Sequence, residues 1–273
     1  MERHIRNRRS AETTKERRIR IDGTDHRLLI SDEPQALLAA KAAGRAVLGV
    51  ENAVQGDWSL RGIPYVVPGW EYDTEELEEL ILRRHLGLPW MIDLTERLMI
   101  REFVKGDVKQ IPEEEYAGEE AVFRSEETME QYIRSQYAFY EYGTWALVRR
   151  ETNELVGMAG VSSPGAEIFE QYALRKLPEK SQWLELGYHI FEPYRKLGYA
   201  REAVTAIAEY AHEVLSAELL AVIHEKNQAS RAVAECLGMR VVEGRKLSHR
   251  DVTAQGNGTD RKWPQGYLLY AEC

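Results

Sequence analysis

The stretch Arg195-Lys196-Leu197-Gly198-Tyr199-Ala200 decides how this chain is expected to fold around its candidate site. It follows the apolar run of residues 183–191 and opens a helical pattern, so the expected order is strand, turn and helix. The first backbone N–H groups of a helix have no partner within it, and the helix dipole adds partial positive charge there. Gly198 lacks a Cβ and Ala200 is nearly as small, so a ligand can approach the main chain closely. The stretch therefore predicts a turn that holds a phosphate group.

A second motif follows in the next part of the chain. Residues 219–224 form a strand-like run, residues 227–230 (N-Q-A-S) open another helix, and L-G-M at 237–239 closes it. The order R-x-x-G-x-A, helix, strand, N-x-x-S, helix, L-G-M resembles the GNAT N-acetyltransferase superfamily, above all the branch with the ribosomal-protein alanine and serine acetyltransferases. The resemblance covers about residues 95–273. It implies an α/β fold in which a mixed, mostly antiparallel sheet is flanked by helices.

The resemblance also implies acetyl-CoA as the co-substrate. The turn at residues 195–200 would hold its pyrophosphate, and the N-x-x-S motif would meet its pantetheine arm. A backbone N–H near residues 190–191 would polarise the thioester carbonyl. The implied cofactor contacts are Ile190, Phe191, Arg195, Lys196, Leu197, Gly198, Tyr199, Ala200, Asn227 and Ser230.

A general base is required by the chemistry of amine acetylation. Alkyl amines are protonated at neutral pH, and the proton must leave before the nitrogen attacks a thioester. Alternation along the strand places Glu185, Gly187 and His189 on one face, away from the apolar side chains. Glu185 is the first candidate, supported by the E-x-G-Y pattern of the resembling family, and His189 is the second. The alternatives are an exposed or ion-paired strand glutamate and a histidine that is only hydrogen-bonded.

The sequence gives weaker signals for the general acid and the acceptor pocket than for the general base. Many members of the resembling family carry a tyrosine seven residues after the motif asparagine, where this chain has Ala234. A thiol with a pKa near about 8.5 can leave with little help, so activity is still expected. Ser230 is a candidate for a hydrogen bond to the cofactor sulfur. Tyr137 and Tyr140 are candidates for the acceptor pocket, together with Glu185, although core packing is the alternative for both tyrosines.

Composition narrows the class of protein. The chain has 273 residues and a net charge of −9, which argues against general nucleic-acid binding and suits a cationic amine substrate. No apolar run is long enough to span a membrane, and no signal-peptide pattern opens the chain, so a cytoplasmic protein is expected. The two cysteines lack a metal-binding or disulfide spacing, so we expect reduced thiols and no metal site.

Three segments are expected along the chain. Residues 1–26 are basic and predict a disordered tail, residues 27–90 predict a small β-α-β-β-α module, and residues 91–273 predict the acetyltransferase domain. In the module, Asp32 and Thr74 are the expected helix N-caps. In the domain, the first strand is expected over residues 96–103.

The module is similar in part to a haloacid-dehalogenase-like phosphatase. The likeness lies in residues 29–50, which match the later half of that family. The residues D-G-T at 22–24 match the end of its nucleophile motif, but Arg20 stands where the nucleophilic aspartate belongs. We therefore interpret D-G-T as coincidence and the module as non-catalytic.

The sequence as a whole predicts transfer of an acetyl group from acetyl-CoA to a primary amine. The acceptor stays open between a protein N-terminus and a small amine. One alternative is a CoA-binding sensor or scaffold without turnover, motivated by Ala234. A second alternative is phosphatase activity in the N-terminal module. Arg20 argues against it, because it occupies the position of the nucleophilic aspartate.

Overall fold

The chain divides into two units, Met1–Trp90 and Met91–Cys273, each with its own hydrophobic core. The computed structural model describes residues 14–51, 60–115, 123–137, 140, 142–165, 182–242 and 266–272. None of the helices in these ranges is both long and apolar enough to cross a membrane.

The first unit opens with an antiparallel hairpin of β1 (Thr14–Ile21) and β2 (Thr24–Ser31). Asp22 and Gly23 link the strands with φ values of 48° and 84°, as a two-residue turn with two positive φ angles requires. The prediction of a disordered tail is therefore wrong for residues 14–26, while residues 1–13 lie outside the described ranges. The basic side chains of residues 15–20 instead lie on an exposed edge strand, where such charges discourage pairing with other chains.

The rest of the first unit follows the predicted order. Helix α1 (Pro34–Ala42), β3 (Ala46–Val50), β4 (Val66–Val67) and α2 (Glu75–His85) complete it. The sheet order is β1-β2-β3-β4, and β2, β3 and β4 run parallel.

The two expected helix caps of this unit have different outcomes. Thr74 caps α2 as predicted, because its Oγ1 accepts a hydrogen bond from the Leu77 N–H at 3.2 Å. Asp32 is not the cap of α1, since Glu33 occupies that position without a side-chain hydrogen bond. The N–H of Glu33 instead donates to Ser31 Oγ at 3.0 Å.

The second unit contains one eight-stranded sheet. Its strands are β5 (Met91–Leu94), β6 (Leu98–Arg101), β7 (Thr144–Arg149), β8 (Leu155–Ser162), β9 (Gln182–Ile190), β10 (Ala217–His224), β11 (Arg240–Val241) and β12 (Tyr267–Ala271). They lie in the order β11-β12-β10-β9-β8-β7-β6-β5, and only β9 and β10 pair in parallel. The predicted mostly antiparallel sheet is confirmed. The strand predicted over residues 96–103 is shorter, Leu98–Arg101, because the chain turns before it to pair with β5.

In the described part of this unit, three α-helices accompany the sheet: α3 (Glu126–Tyr132), α4 (Tyr199–Glu213) and α5 (Gln228–Cys236). Helix α4 connects β9 to β10, and its small and branched side chains, among them Ala203, Val204 and Ile207, are buried in the main core. The same core contains Leu184 of β9 and Leu219 of β10. The helix is therefore fixed against both strands of the parallel pair, which sets the position of the turn before it.

Candidate active site

The parallel strands β9 and β10 separate part of the way along their length. Their register runs from Gln182 opposite Ala217 to Glu185 opposite Leu220, although both strands continue beyond it. An opening at the carboxyl ends of parallel strands is the usual position of a ligand site in an α/β sheet. Glu185 lies at the last paired position, where the opening begins.

The backbone of β9 presents hydrogen-bonding groups to this opening. The Phe191 N–H donates to the Val156 carbonyl of β8 at 3.0 Å, which fixes the direction of every second peptide group in β9. Because these directions alternate along a strand, the groups of Leu186, Tyr188 and Ile190 point away from β8, toward β10. Of the two expected oxyanion donors, Phe191 is therefore excluded by its bond to β8, and Ile190 is retained.

The turn before α4 has the backbone geometry that the sequence predicted. Gly198 is the N-cap residue of α4 with φ of 88°, and Lys196 has φ of 62°. The Glu202 N–H bonds the Gly198 carbonyl at 3.1 Å, so the preceding N–H groups of the first turn lack a carbonyl within the helix. The turn therefore directs a set of backbone donors outward, as anion binding at a helix N-terminus requires.

Arg97 is a residue beside this turn that the sequence did not identify. Its Nη1 donates to the Leu197 carbonyl at 2.9 Å, and its guanidinium lies 4.6 Å from the centre of the Tyr199 ring. It also forms an ion pair with Glu202, in the first turn of α4. Arg97 lies a hundred residues from the turn that it contacts, so no local motif could point to it.

The Arg195 side chain makes two contacts within the protein. Its Nε donates to the Ile190 carbonyl at 2.8 Å, and its Nη2 donates to Glu115 at 2.7 Å. The side chain nevertheless stays 47% exposed, so Arg195 remains a predicted cofactor contact. The guanidinium also fixes the turn to the end of β9.

Glu115 is the centre of a cluster that the sequence also missed. Its carboxylate, whose side chain is 9% exposed, accepts hydrogen bonds from His189 Nε2 at 2.7 Å, from Arg195 and from the Glu192 N–H. Burial raises the pKa of Glu115, but these hydrogen bonds and the nearby charges outweigh burial and leave it below its ordinary value. Because an ionised carboxylate can only accept hydrogen bonds, the Nε2–H of His189 is the donor, and Nδ1 is the acceptor nitrogen of the neutral ring.

Glu185 lies on the expected face of β9 and is half-buried. Burial raises its pKa above the ordinary value, and a hydrogen bond from the Gly165 N–H opposes that shift only in part. A Cβ at Gly187, the next residue on this face, would meet no atom within 4 Å among the residues that the structure describes. The face is therefore open beside a carboxyl group whose pKa is shifted toward the range of a general base.

The N-x-x-S motif forms the start of α5. Asn227 is its N-cap and accepts a hydrogen bond from the Ser230 N–H at 3.1 Å. Ser230 Oγ in turn accepts a hydrogen bond from the Tyr188 hydroxyl of β9 at 3.1 Å. Ala234, where many members of the family carry a tyrosine, is buried in the main core.

The two candidate acceptor tyrosines have different environments. Tyr137 is fully buried, donates to the Thr144 carbonyl at 2.6 Å and accepts from the Phe103 N–H at 3.1 Å. The expectation that it lines the acceptor pocket is therefore wrong, because its hydroxyl serves the packing of neighbouring strands. Tyr140 is 47% exposed and its ring lies 5.8 Å from that of Tyr142, so its role in acceptor binding stays a prediction.

A group of possible metal ligands lies elsewhere in this unit. The candidate ligand atoms of His212, Glu218 and Glu272 lie within 4.8 Å of one another. One oxygen of Glu272 already accepts hydrogen bonds from His212 and from the Leu219 N–H. These bonds attach the last residues of the chain to α4 and β10, so we assign the group a structural role.

The sequence profile of the acetyltransferase (GNAT) domain family matches residues 97–240, more than half of the chain. An acetyltransferase from Agrobacterium tumefaciens is 22% identical, with 66% of this chain and 93% of that one covered and a TM-score of 0.45. A GNAT-family acetyltransferase from Bacillus anthracis is 21% identical, with 65% and 94% covered and a TM-score of 0.42. The ribosomal-protein-S5-alanine acetyltransferase from Vibrio fischeri is 14% identical, with 66% and 96% covered and a TM-score of 0.48. No curated protein matches the chain.

Proposed function

Because the chain belongs to the acetyltransferase (GNAT) domain family, whose members use acetyl-CoA, we propose that it moves the acetyl group of acetyl-CoA to a primary amine. The amine is either a protein N-terminus or a small molecule. The observation that carries the proposal is the separation of β9 from β10 at Glu185, between a carboxyl group on one side and the donors of the Gly198 turn on the other.

The cofactor would lie along this opening. The backbone donors of the turn before α4 would bind its pyrophosphate, and the free edge of β9 would pair with the amide groups of the pantetheine arm as an added strand does. The Ile190 N–H would then donate to the thioester oxygen as negative charge develops on it. Each of these contacts uses backbone groups, so the site tolerates sequence variation and depends on the path of the chain.

The acceptor amine would approach from the open face of β9. Glu185 takes the ammonium proton directly or through water, and the neutral nitrogen attacks the thioester carbon. The new C–N bond forms, the nitrogen loses its second proton to water, the C–S bond breaks, and sulfur leaves with the electron pair. Because burial raises the pKa of Glu185, its carboxylate is a stronger base than that of an ordinary glutamate.

Thiol release from acetyl-CoA in the presence of an amine panel tests the proposal. Glu185→Gln should lower the rate by about 10²–10⁴ while CoA affinity by calorimetry stays unchanged, and the acidic limb of the pH–rate profile should disappear. Glu209→Gln, which changes an exposed glutamate of α4, is the matched control. A near-normal profile for Glu185→Gln would assign the base to His189 or to water. Tight CoA binding without thiol release for any amine would favour a sensor or scaffold.

A further inference from the structure

Tyr188 differs from the other residues on its face of β9. Leu184 and Leu186 bury hydrocarbon in the core beneath α4, whereas Tyr188 is only partly buried there and ends in a hydroxyl group. That hydroxyl reaches Ser230 of α5, 42 residues away, at 3.1 Å. The side chain therefore connects β9 with the helix that follows β10, the two sides of the opening.

The direction of this hydrogen bond determines what Ser230 can do. The Tyr188 hydroxyl donates and Ser230 Oγ accepts. Burial raises the pKa of Tyr188 above its ordinary value, against a smaller opposing effect of the bond to Ser230, so the phenol keeps its proton at neutral pH. A serine hydroxyl has one proton and two lone pairs. With one lone pair engaged by Tyr188, Ser230 keeps its own proton for a different acceptor.

The position of Ser230 is fixed on its other side as well. Its backbone N–H is held by the Asn227 side chain in the cap of α5. Cap and phenol together restrict both the backbone and the hydroxyl of Ser230. A hydroxyl that accepts a hydrogen bond is also a stronger donor, because linked hydrogen bonds polarise one another.

We propose that Tyr188 is a positioning residue that orients and polarises the Ser230 hydroxyl toward the sulfur of the leaving CoA. This inference rests on the proposed function and adds a residue to it. As the C–S bond breaks, sulfur keeps the electron pair and the Ser230 O–H donates a hydrogen bond to the thiolate. The thiolate then takes its proton from water, and Tyr188 remains protonated throughout. The pair therefore stabilises the thiolate by a hydrogen bond, in a chain that has Ala234 instead of an acidic side chain at the family's tyrosine position.

Titration of the thiol of bound CoA tests the proposal without turnover. The ultraviolet absorbance of the thiolate is followed against pH in the complex with the whole protein. The bound thiol should have a pKa below about 8.5 in the wild type, and Tyr188→Phe should raise it by about half a unit to one unit, the size expected for one hydrogen bond. Ser230→Ala should raise it at least as far. Tyr267→Phe, which removes an exposed phenol from β12, should leave it unchanged.

Kinetics of the same variants show whether Tyr188 acts through Ser230. Tyr188→Phe should lower kcat for acetyl transfer by about three- to thirtyfold, with the KM for acetyl-CoA unchanged. In the Ser230→Ala background, Tyr188→Phe should have no further effect. An unchanged thiol pKa in Tyr188→Phe, or additive losses in the double variant, would refute the role of Tyr188 while leaving acetyl transfer intact. A wild-type protein that binds no CoA would refute the proposed function and this inference with it.

Discussion

The two units each contain a parallel strand pair joined by a helix, and the two pairs end differently. In the first unit, β2 and β3 stay in register from Leu28 opposite Ala46 to Ser31 opposite Gly49, the last residue of β2. Strand β4 then pairs with the end of β3. In the second unit, β9 continues for five residues after its register with β10 ends at Glu185.

Packing around one glycine in each pair follows the same contrast. A Cβ at Gly49 of β3 would lie 3.1 Å from the Leu60 side chain and 3.4 Å from Ile63 and Val66, so this pair is covered. A Cβ at Gly187 of β9 would meet no atom of the described residues within 4 Å. The same connection is therefore covered at its carboxyl end in the first unit and open there in the described part of the second.

The largest expected effect contrasts two glycines with positive φ. Gly198→Val adds a branched side chain where the pyrophosphate is proposed to bind, so CoA affinity should fall more than about tenfold by calorimetry. Gly44→Val introduces the same kind of strain after α1, at φ of 73°. Each should cost about 1–3 kcal/mol of stability. Equal CoA affinity in folded samples of both variants would contradict the proposal that the turn binds the pyrophosphate.

A smaller effect is expected at Glu115. Glu115→Gln removes the charge that His189 and Arg195 share, and the free energy of unfolding should fall by about 1–3 kcal/mol at neutral pH. The pKa of Glu115 is lowered in the folded protein from 4.5, so its stabilisation is present above pH 4.5 and is lost as the pH falls through the folded pKa. Denaturant titrations of both proteins should therefore converge in acid. A difference independent of pH would mean that the carboxylate charge is not responsible.

The two strand glycines give a direct test of covered and open edges. Gly49→Ala should lower the free energy of unfolding by about 1 kcal/mol, because neighbouring side chains must move. Gly187→Ala should leave stability unchanged or slightly raised. It should instead raise the KM for the amine, since its methyl group lies between Glu185 and His189. Equal loss of stability in the two variants would contradict the contrast.

The smallest expected effect concerns the first unit. A chain of residues 91–273 should bind CoA with an affinity within about threefold of the whole protein, because every proposed cofactor contact lies in the second unit. We propose that residues 27–90 influence acceptor choice or assembly and carry no phosphatase activity. Calorimetry and an amine panel compare the two chains, and phosphate release from a generic ester by the whole protein would restore the phosphatase alternative. A folded fragment that binds no CoA would mean that the site needs both units.

The sequence anticipated those parts of the site that depend on neighbouring residues. Gly198 and Asn227 begin their helices as expected, and the Asn227 bond spans only three positions. Glu185 and Gly187 share a face because side chains alternate in any strand. These relations depend on the geometry of a few neighbouring residues. Turn, cap and alternation patterns in the sequence were therefore enough to predict them.

Tertiary structure decided the relations between distant residues. The bond between Glu115 and His189 spans 74 positions, and the bond between Tyr188 and Ser230 spans 42. The prediction that Tyr137 lines the acceptor pocket was wrong because its hydroxyl forms hydrogen bonds with backbone groups of two other segments. No periodicity records such contacts, since they depend on which strands become neighbours. The sequence by itself therefore determined the Gly198 turn, the Asn227 cap and the face of β9 that contains Glu185. The packed sheet decided where β9 and β10 separate and which side chains meet there.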